Sequence, residues 1–256
     1  MDEWSSGERY EPYVGRWSRL VAKEFVDWLD QPPGLRWLDV GSGTGALSST
    51  ILDTAAPAKV VGVDRSEAFV DYARRTVQND AVTFEVGDAG ELPSGSFDLV
   101  VSGLVLNFLP DRVSALRRMG ELGGTVAAYV WDYADGMQLM KYFWDALVEL
   151  DPAAAEHHEG ERFAFCRPDA LEEMFAEAGF GGVTSRGIVV PTVFPSFDDY
   201  WSPFLGGAGV GPAYLRGLDE TTREALRKAL QERVPATADG SIELTARAWA
   251  VRGTSV

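Results

Sequence analysis

Three aspartates, Asp39, Asp64 and Asp88, fall at or beside the ends of three short apolar runs. The first of them opens the stretch LDVGSGTGALS, Leu38 to Ser48, in which Gly41, Gly43 and Gly45 alternate. Glycine weakens regular structure, so three together mark a backbone that turns tightly or lets something approach it. Asp64 ends the second run, nineteen residues after Gly45. An acid there can accept both hydroxyls of a ribose. Asp88 follows the third run and precedes Ala89, where a carboxylate can take an exocyclic amine of adenine. A fourth run leads into SGLVLNFLPD, a mostly apolar turn able to pack against a base. In order along the chain, these features describe an adenosine-shaped site.

Regular elements must hold those residues in place. The apolar spacing of RLVAKEFVDWL predicts an amphipathic helix over 19–29, ended by Gln31-Pro32-Pro33-Gly34. Strands are expected over 36–40, 59–63, 82–86, 97–102 and 125–131, with helices from 46, over 67–77 and over 112–119 between them. Strands alternating with helices of this length make β-α-β units, hence a mostly parallel sheet with helices on both faces. The near-continuous apolar character of the strands fits a sheet covered on both sides. In such a sheet ligands bind beyond the carboxyl ends of the strands, where strand order reverses, and that is where the glycine turn falls.

The second half changes character. A helix with a wide aromatic face is expected over 137–150, then a polar connector over 152–160 carrying His157 and His158, the two histidines of the chain. A further helix over 167–178 opens with Pro168 and stops at Gly179, as proline and glycine dictate. A strand lies within 182–194. Residues 197–234 read as an insertion with a Gly-rich loop at 206–211 and a helix over 220–233, and 242–251 closes the sheet. We expect one domain over 1–256, with 1–30 an N-terminal lid and helix, 35–131 the cofactor core, and 133–165 and 195–235 substrate-cap segments.

Composition narrows the partners. The 256 residues carry 23 Lys and Arg against 39 Asp and Glu, a formal net charge of −16. That disfavours a nucleic-acid backbone, which needs a basic surface, and docking on anionic membranes. Cys166, the single cysteine, allows no internal disulfide. No run approaches the roughly 18 apolar residues of a membrane span, and residues 1–17 lack the regions of a signal peptide. A cytoplasmic protein is the expectation. No cluster has metal-ligand spacing.

The glycine spacing leaves alternatives open. Gly41, Gly43 and Ala46 also satisfy the relaxed dinucleotide fingerprint G-x-G-x-x-A, so an NAD(P)-type oxidoreductase with a Rossmann fold is one reading and a non-catalytic adenosyl-binding module another. The combination of LDVGSGTGALS, VVGVDRSEAFVDYAR, FEVGDAGELPSGSFDLVVSGLVLNFLPD and EEMFAEAGFGGVTSR, however, resembles the class I S-adenosylmethionine-dependent methyltransferases, in particular the small-molecule, ubiquinone-biosynthesis-like branch. The resemblance spans about Leu35 to Arg186, and IELTARAWAV fits the family's last, antiparallel strand. It implies a Rossmann-like seven-stranded sheet, S-adenosyl-L-methionine as cofactor and S-adenosyl-L-homocysteine as product. It further implies that Gly41, Gly43 and Gly45, with Ser42 among them, close on the methionine part. Asp39 would orient its amino group, and Asp64, with Arg65 beside it, the ribose. Asp88 and Ala89 would meet the adenine, and Leu104 the base or sulfonium. One departure is the turn before the fifth strand, where Gly123-Gly124 stand without the family's usual proline.

The acceptor site must come from outside this core. Tyr10, Tyr13, Arg16 and Trp17 precede the first helix; Tyr13 and Trp17 share a helical face, and Arg16 is assigned to the cofactor carboxylate. Trp131 and Tyr133, at the end of the fifth strand, are expected to line the acceptor site. Methyl transfer from an activated donor asks mainly for position and dryness, and a base only for a reluctant acceptor. His157, Asn107 and Tyr133 are the candidates for such a role. The methylated atom, oxygen, nitrogen or carbon, is not specified by sequence, nor is the oligomeric state.

Overall fold

The computed structural model describes residues 16–90, 92–206 and 209–255, Arg16 by its backbone alone. Tyr10, Tyr13 and the Arg16 side chain, all assigned above, lie outside the described residues. The elements in chain order are α1 (Arg16–Leu29), β1 (Arg36–Val40), α2 (Ala46–Thr54), β2 (Lys59–Asp64), α3 (Glu67–Thr76), β3 (Val82–Val86), β4 (Phe97–Gly103), α4 (Arg112–Gly120), β5 (Gly123–Trp131), α5 (Gln138–Leu150), α6 (Glu159–Arg162), α7 (Pro168–Ala178), β6 (Phe180–Phe194), α8 (Phe197–Gly206), α9 (Val210–Gly217), α10 (Glu220–Arg233) and β7 (Ile242–Ser255). Short 3₁₀ turns cover Leu106–Phe108 and Pro152–His157.

The seven strands form one sheet in the order β3-β2-β1-β4-β5-β7-β6, six parallel and the last antiparallel. The order reverses between β1 and β4, the parallel neighbours whose Trp37 and Leu38 face Leu99 and Val100. The strands flanking that point are buried almost throughout. Burial on both faces is why they read as unbroken apolar runs rather than as alternation. β6, at the sheet's edge, alternates buried and exposed along Ile188 to Phe194.

Contacts divide the chain into two compact units. The sheet unit comprises Ser18–Val130, Phe165–Ile188 and Ala248–Val256; the second, helical unit takes in Trp17, Trp131–Ala164 and Val189–Arg247. In the sheet unit each helix has a recognisable start or stop. Ser66 caps α3, accepting from the Phe69 amide at 3.4 Å, and Glu67 and Arg74–Arg75 complement its dipole. α7 begins with Pro168 and ends on Gly179 at φ +100°. At the β3 edge, Arg74 Nε and Nη2 donate to the Phe84 carbonyl at 3.1 and 2.8 Å. At the Gly123 start of β5, a Cβ would press on Val100 Cγ2 at 2.6 Å, so the proline-free turn keeps its glycine for close packing.

In the helical unit, aromatic rings make the core. Phe143 and Phe204 stack at 4.3 Å with 7° between planes, and Phe194 meets Tyr200 edge-on at 5.4 Å. The polar connector 152–160 carries two short helical turns: Asp151 accepts from the Ala153 amide at 3.1 Å to start the 3₁₀ turn, and His158 Nδ1 accepts from the Gly160 amide at 3.0 Å to start α6. One sequence expectation needs correction here. The insertion 197–234 holds three helices rather than one. Phe197, Tyr200, Trp201 and Phe204 recur at i, i+3, i+4 and i+7, a helical face that the internal Pro203 obscured.

Candidate functional site

The site is built where β1, β2 and β4 end. The chain leaves β1 at Val40, and the Gly41 and Ser42 amides both donate to the Val63 carbonyl, at 2.7 and 3.0 Å. Gly41, Gly43 and Gly45 take φ of +77°, +52° and +84°, a region that glycine enters without the Cβ penalty. At Gly41 there is a second constraint, because a Cβ would collide with both methyls of Val105, in the turn after β4. At Gly43 a Cβ would meet nothing within 4 Å, so the middle of the loop faces open space. The glycines thus serve three needs: close packing, an open approach, and the left-handed start of α2 at Gly45.

Asp64 secures this loop from β2. Its Oδ2 accepts from the Gly43 amide at 2.9 Å and its Oδ1 from the Ser66 amide at 2.8 Å. An ionised carboxylate offers about four acceptor positions, so about two remain. Burial raises its pKa, against the two amide hydrogen bonds. Asp39 sits deeper, 1% exposed. Its Oδ2 accepts from Ser48 Oγ at 2.6 Å, tying β1 to α2. Among the described residues, neither its Oδ1 nor the buried Ser42 Oγ has a hydrogen-bond partner. A buried, half-satisfied carboxylate is costly unless a proton or a cation completes it. Burial accordingly pushes the Asp39 carboxyl up to about 7, despite the Ser48 hydroxyl.

The pH consequence follows from that sign. The folded carboxyl titrates above its ordinary 3.8, so between about pH 4 and pH 7 the folded protein holds a proton that the unfolded chain has lost. Stability from this group is greatest below that window and falls as pH rises through it, by up to about 4 kcal/mol. Asp39→Asn keeps an acceptor for Ser48 and removes the titration. The ligand-free variant is expected to melt above the wild type at pH 8, with the gap closing toward pH 4.5. A gap independent of pH in thermal unfolding would show that Asp39 does not titrate in that range.

Asp88 is exposed, its Oδ1 accepting from the Gly90 amide at 2.9 Å in a tight turn after β3. Gly87 donates to the Asp64 carbonyl at 3.0 Å, which places this turn beside the end of β2. Ala89 follows it half-buried, and Arg65 is exposed. Leu104 adopts φ +62°, held by a 2.8 Å bond from its amide to the Tyr129 carbonyl. A leucine in that region is strained, and such strain concentrates at functional sites. Ser102 Oγ donates to the Val40 carbonyl at 2.8 Å, fixing β4 to the mouth of the glycine turn. The sheet unit therefore brings Asp39, Gly41–Gly45, Asp64, Asp88 and Leu104 to one edge.

The comparisons with known proteins agree with this geometry. A family model described as a methyltransferase domain matches residues 32–179. The chain belongs to the methyltransferase domain family. S-adenosylmethionine is its cofactor, which decides the choice left open by the glycine spacing against a dinucleotide. The methyltransferase is 31% identical over 209 residues to the demethylmenaquinone methyltransferase of Symbiobacterium thermophilum, covering 70% of this chain and 81% of that one. It is 30% identical over 213 residues to the trans-aconitate 2-methyltransferase of Deinococcus radiodurans, covering 77% and 78%. A 37.1 kDa transposon protein of Streptomyces fradiae is 38% identical over 114 residues, and the chain spans only 33% of its length. Among solved structures, a phosphoethanolamine N-methyltransferase 2 of Haemonchus contortus with S-adenosyl-L-methionine shares the fold at a TM-score of 0.56 and 16% identity. That match covers 96% of this chain and 56% of the other.

The residues fit the cofactor on their own terms. Asp39 has an oxygen awaiting a cation or proton, Asp64 has acceptor positions left, and the Gly43 surface is open. The remaining candidates are placed as follows. Asn107 is buried in the Leu106–Phe108 turn. In the helical unit, Trp17 meets Phe194 edge-on at 5.2 Å, Trp131 is 2% exposed, and Tyr133 packs on Phe163 at 4.8 Å. His157 is exposed, with its ring 5.2 Å from Tyr214. His158 is the more engaged histidine: it packs near Trp144 at 5.9 Å, and burial lowers its pKa. Sequence reasoning missed the partners that anchor the loop, Ser48 and Val105. A hydroxyl nine residues after an acid, on the first turn of the next helix, was the available signal for Ser48.

Proposed function

We propose that this chain transfers a methyl group from S-adenosylmethionine to an oxygen, nitrogen or carbon atom of a small organic metabolite. The observation that carries the reading is the half-satisfied, buried Asp39 beside a glycine loop pinned by Asp64. The cofactor, when bound, supplies a methyl group already activated on a sulfonium. The chain's part is to bind, orient and keep water out. Asp39 holds the amino group through Oδ1, with Ser42 beside it. The backbone of Gly41, Gly43 and Gly45 closes on the methionine part, Asp64 takes the ribose hydroxyls with Arg65 at the rim, and Asp88 and Ala89 meet the adenine. Leu104 packs at the base. Arg16 is assigned to the cofactor carboxylate, and an Arg16→Ala variant with unchanged cofactor affinity would remove that role.

Acceptor recognition is assigned to Tyr13, Trp17, Trp131 and Tyr133 and to the segments 133–165 and 195–235. The relatives named for demethylmenaquinone and trans-aconitate support a small-molecule acceptor. A charge of −16 supports the same reading over nucleic acid. No helix among the described residues is long and apolar enough to cross a membrane, in line with a cytoplasmic setting. Asn107 shares its turn with the edge that carries Leu104, which makes it the strongest of the three catalytic candidates. An amide orients an acceptor but takes no proton, so this assignment suits an acceptor that needs no base.

The test is thermal unfolding with S-adenosylhomocysteine, S-adenosylmethionine and nicotinamide dinucleotides, one at a time. At about a hundred times its dissociation constant a ligand adds roughly 2.7 kcal/mol, which moves the midpoint by about 5 to 10 °C. Shifts with both adenosyl compounds and none with the dinucleotides are expected. The absence of a shift with either adenosyl compound would count against the reading.

A further inference from the structure

Arg112, the first residue of α4, follows the turn after β4 at the same sheet edge and is not among the residues assigned above to the cofactor. Its Nε donates to the Leu106 carbonyl at 3.0 Å. Its guanidinium lies over the Phe165 ring, 3.9 Å from the centroid. Leu106 belongs to the turn after β4 whose Val105 closes on Gly41, so Arg112 is one hydrogen bond removed from the wall of the glycine loop. The side chain is half-buried. The ring contact and the Nε bond hold the guanidinium from two sides, which leaves the two Nη groups as a positioned fork. That fork matches a carboxylate in a bidentate pair.

No acid among the described residues occupies it. The nearest in sequence, Asp111, spends its carboxylate on capping α4, accepting from the Ser114 amide at 3.0 Å. Elsewhere in this strongly acidic chain, arginines commonly find a carboxylate: Arg74 pairs with Asp71, Arg118 with Glu121 and Arg233 with Glu149. An arginine that is immobilised, half-desolvated and yet unpaired has kept its donors for something outside the chain. The net charge of −16 repels small anions at long range. A local cation at the ligand edge is therefore what an anionic acceptor requires.

We propose that Arg112 is a specificity-determining residue that receives the carboxylate of an organic-acid acceptor. This assignment rests on the methyltransferase reading and narrows its acceptor to a carboxylic acid. The alternative is that Arg112 only staples the Leu106 turn to Phe165, and variants separate the two. Arg112→Lys keeps the charge without the fork, and Arg112→Gln keeps polarity and length without the charge.

The experiment is calorimetric titration of the wild type and both variants, each saturated with S-adenosylhomocysteine. The probes are fumarate, benzoate and cinnamate, their neutral amides, and inorganic phosphate. We expect at least one acid to bind the wild type, with its amide and phosphate at least tenfold weaker. We expect Arg112→Gln to lose at least tenfold for that acid and Arg112→Lys to lose less. Affinity for S-adenosylhomocysteine should stay within twofold throughout, and thermal midpoints without ligand within a few degrees. The assignment is overturned if none of the acids binds, if amide or phosphate binds as well as the acid, or if Arg112→Gln binds like the wild type. Failure of the wild type to bind S-adenosylhomocysteine is a different result: it removes the methyltransferase reading on which the assignment stands.

Discussion

Replacing Asp64 by alanine is expected to raise the dissociation constant for S-adenosylhomocysteine about a hundredfold or more. Two losses coincide. The Gly43 and Ser66 amides lose their common acceptor, so the loop that must close on the cofactor is no longer pinned to β2. The carboxylate positions left for the ribose hydroxyls go as well. Hydrogen bonds to a charged group contribute about 1.5 to 3 kcal/mol each, and two of them exceed the roughly 2.7 kcal/mol that a hundredfold represents. Asp64→Asn retains one acceptor oxygen and should fall between. Calorimetry on the two variants reads this directly. A change of less than threefold in Asp64→Ala would reduce Asp64 to a loop anchor with no part in recognition.

The second large effect is on stability and lies in the helical unit. Asp132, 4% exposed, accepts from Arg247 Nε at 2.6 Å and Nη2 at 2.5 Å. Around the pair the backbone is closed: the Asp132 amide donates to the Arg247 carbonyl and the Arg247 amide to the Gly136 carbonyl, both at 2.9 Å. Asp132 Oδ1 also accepts from the Asp135 amide at 3.2 Å. Removing one partner of a buried pair costs about 3 to 5 kcal/mol. Arg247 keeps about a third of its side chain in solvent, which puts the expected cost of Asp132→Ala near the lower figure. For a domain of this size that lowers the melting midpoint by roughly 6 to 12 °C. Replacing both partners, as Asp132→Leu with Arg247→Met, should cost less than the sum of the single changes, because no lone charge stays buried. A single-variant loss under about 1 kcal/mol, or strict additivity, would show that the pair contributes no more than surface ion pairs do.

Much of this arrangement was legible in the sequence, for physical reasons that also explain what was not. RWLDV and KVVGV read as strands because burial on both faces leaves few polar side chains; the first has the expected bounds and the second runs one residue further, through Asp64. Pro168 and Gly179 bracketed α7 because each fits the backbone at its end. The glycine turn announced itself because only glycine fits it. What could not be read was pairing across distance. Nothing in LDVGSGTGALS says that Gly41 faces Val105, sixty-four residues on, or that Asp64 reaches back to the Gly43 amide. The helices at Phe197–Gly206 and Val210–Gly217 were hidden by Pro203, Pro212 and the glycines. There aromatic burial outweighs local propensity. The helix caps at Asp151 and His158 turned an apparent loop into short helices, because a side chain can replace missing backbone partners within two residues.

The position of β7 has a consequence for how the chain is made. β7 lies between β5 and β6 in the sheet but follows both in sequence. On the ribosome, β5 and β6 emerge with their shared partner still unsynthesised. Translation proceeds at roughly 5 to 20 residues per second, so for several seconds the nascent chain presents two strands with open hydrogen-bonding edges. β6 bears exposed Val189 and Val193, and between them Pro191, which has no amide hydrogen to lend to a foreign strand. A proline leaves a gap in the ladder on the one edge its nitrogen faces, which makes β6 a poorer template for a neighbouring polypeptide while it waits.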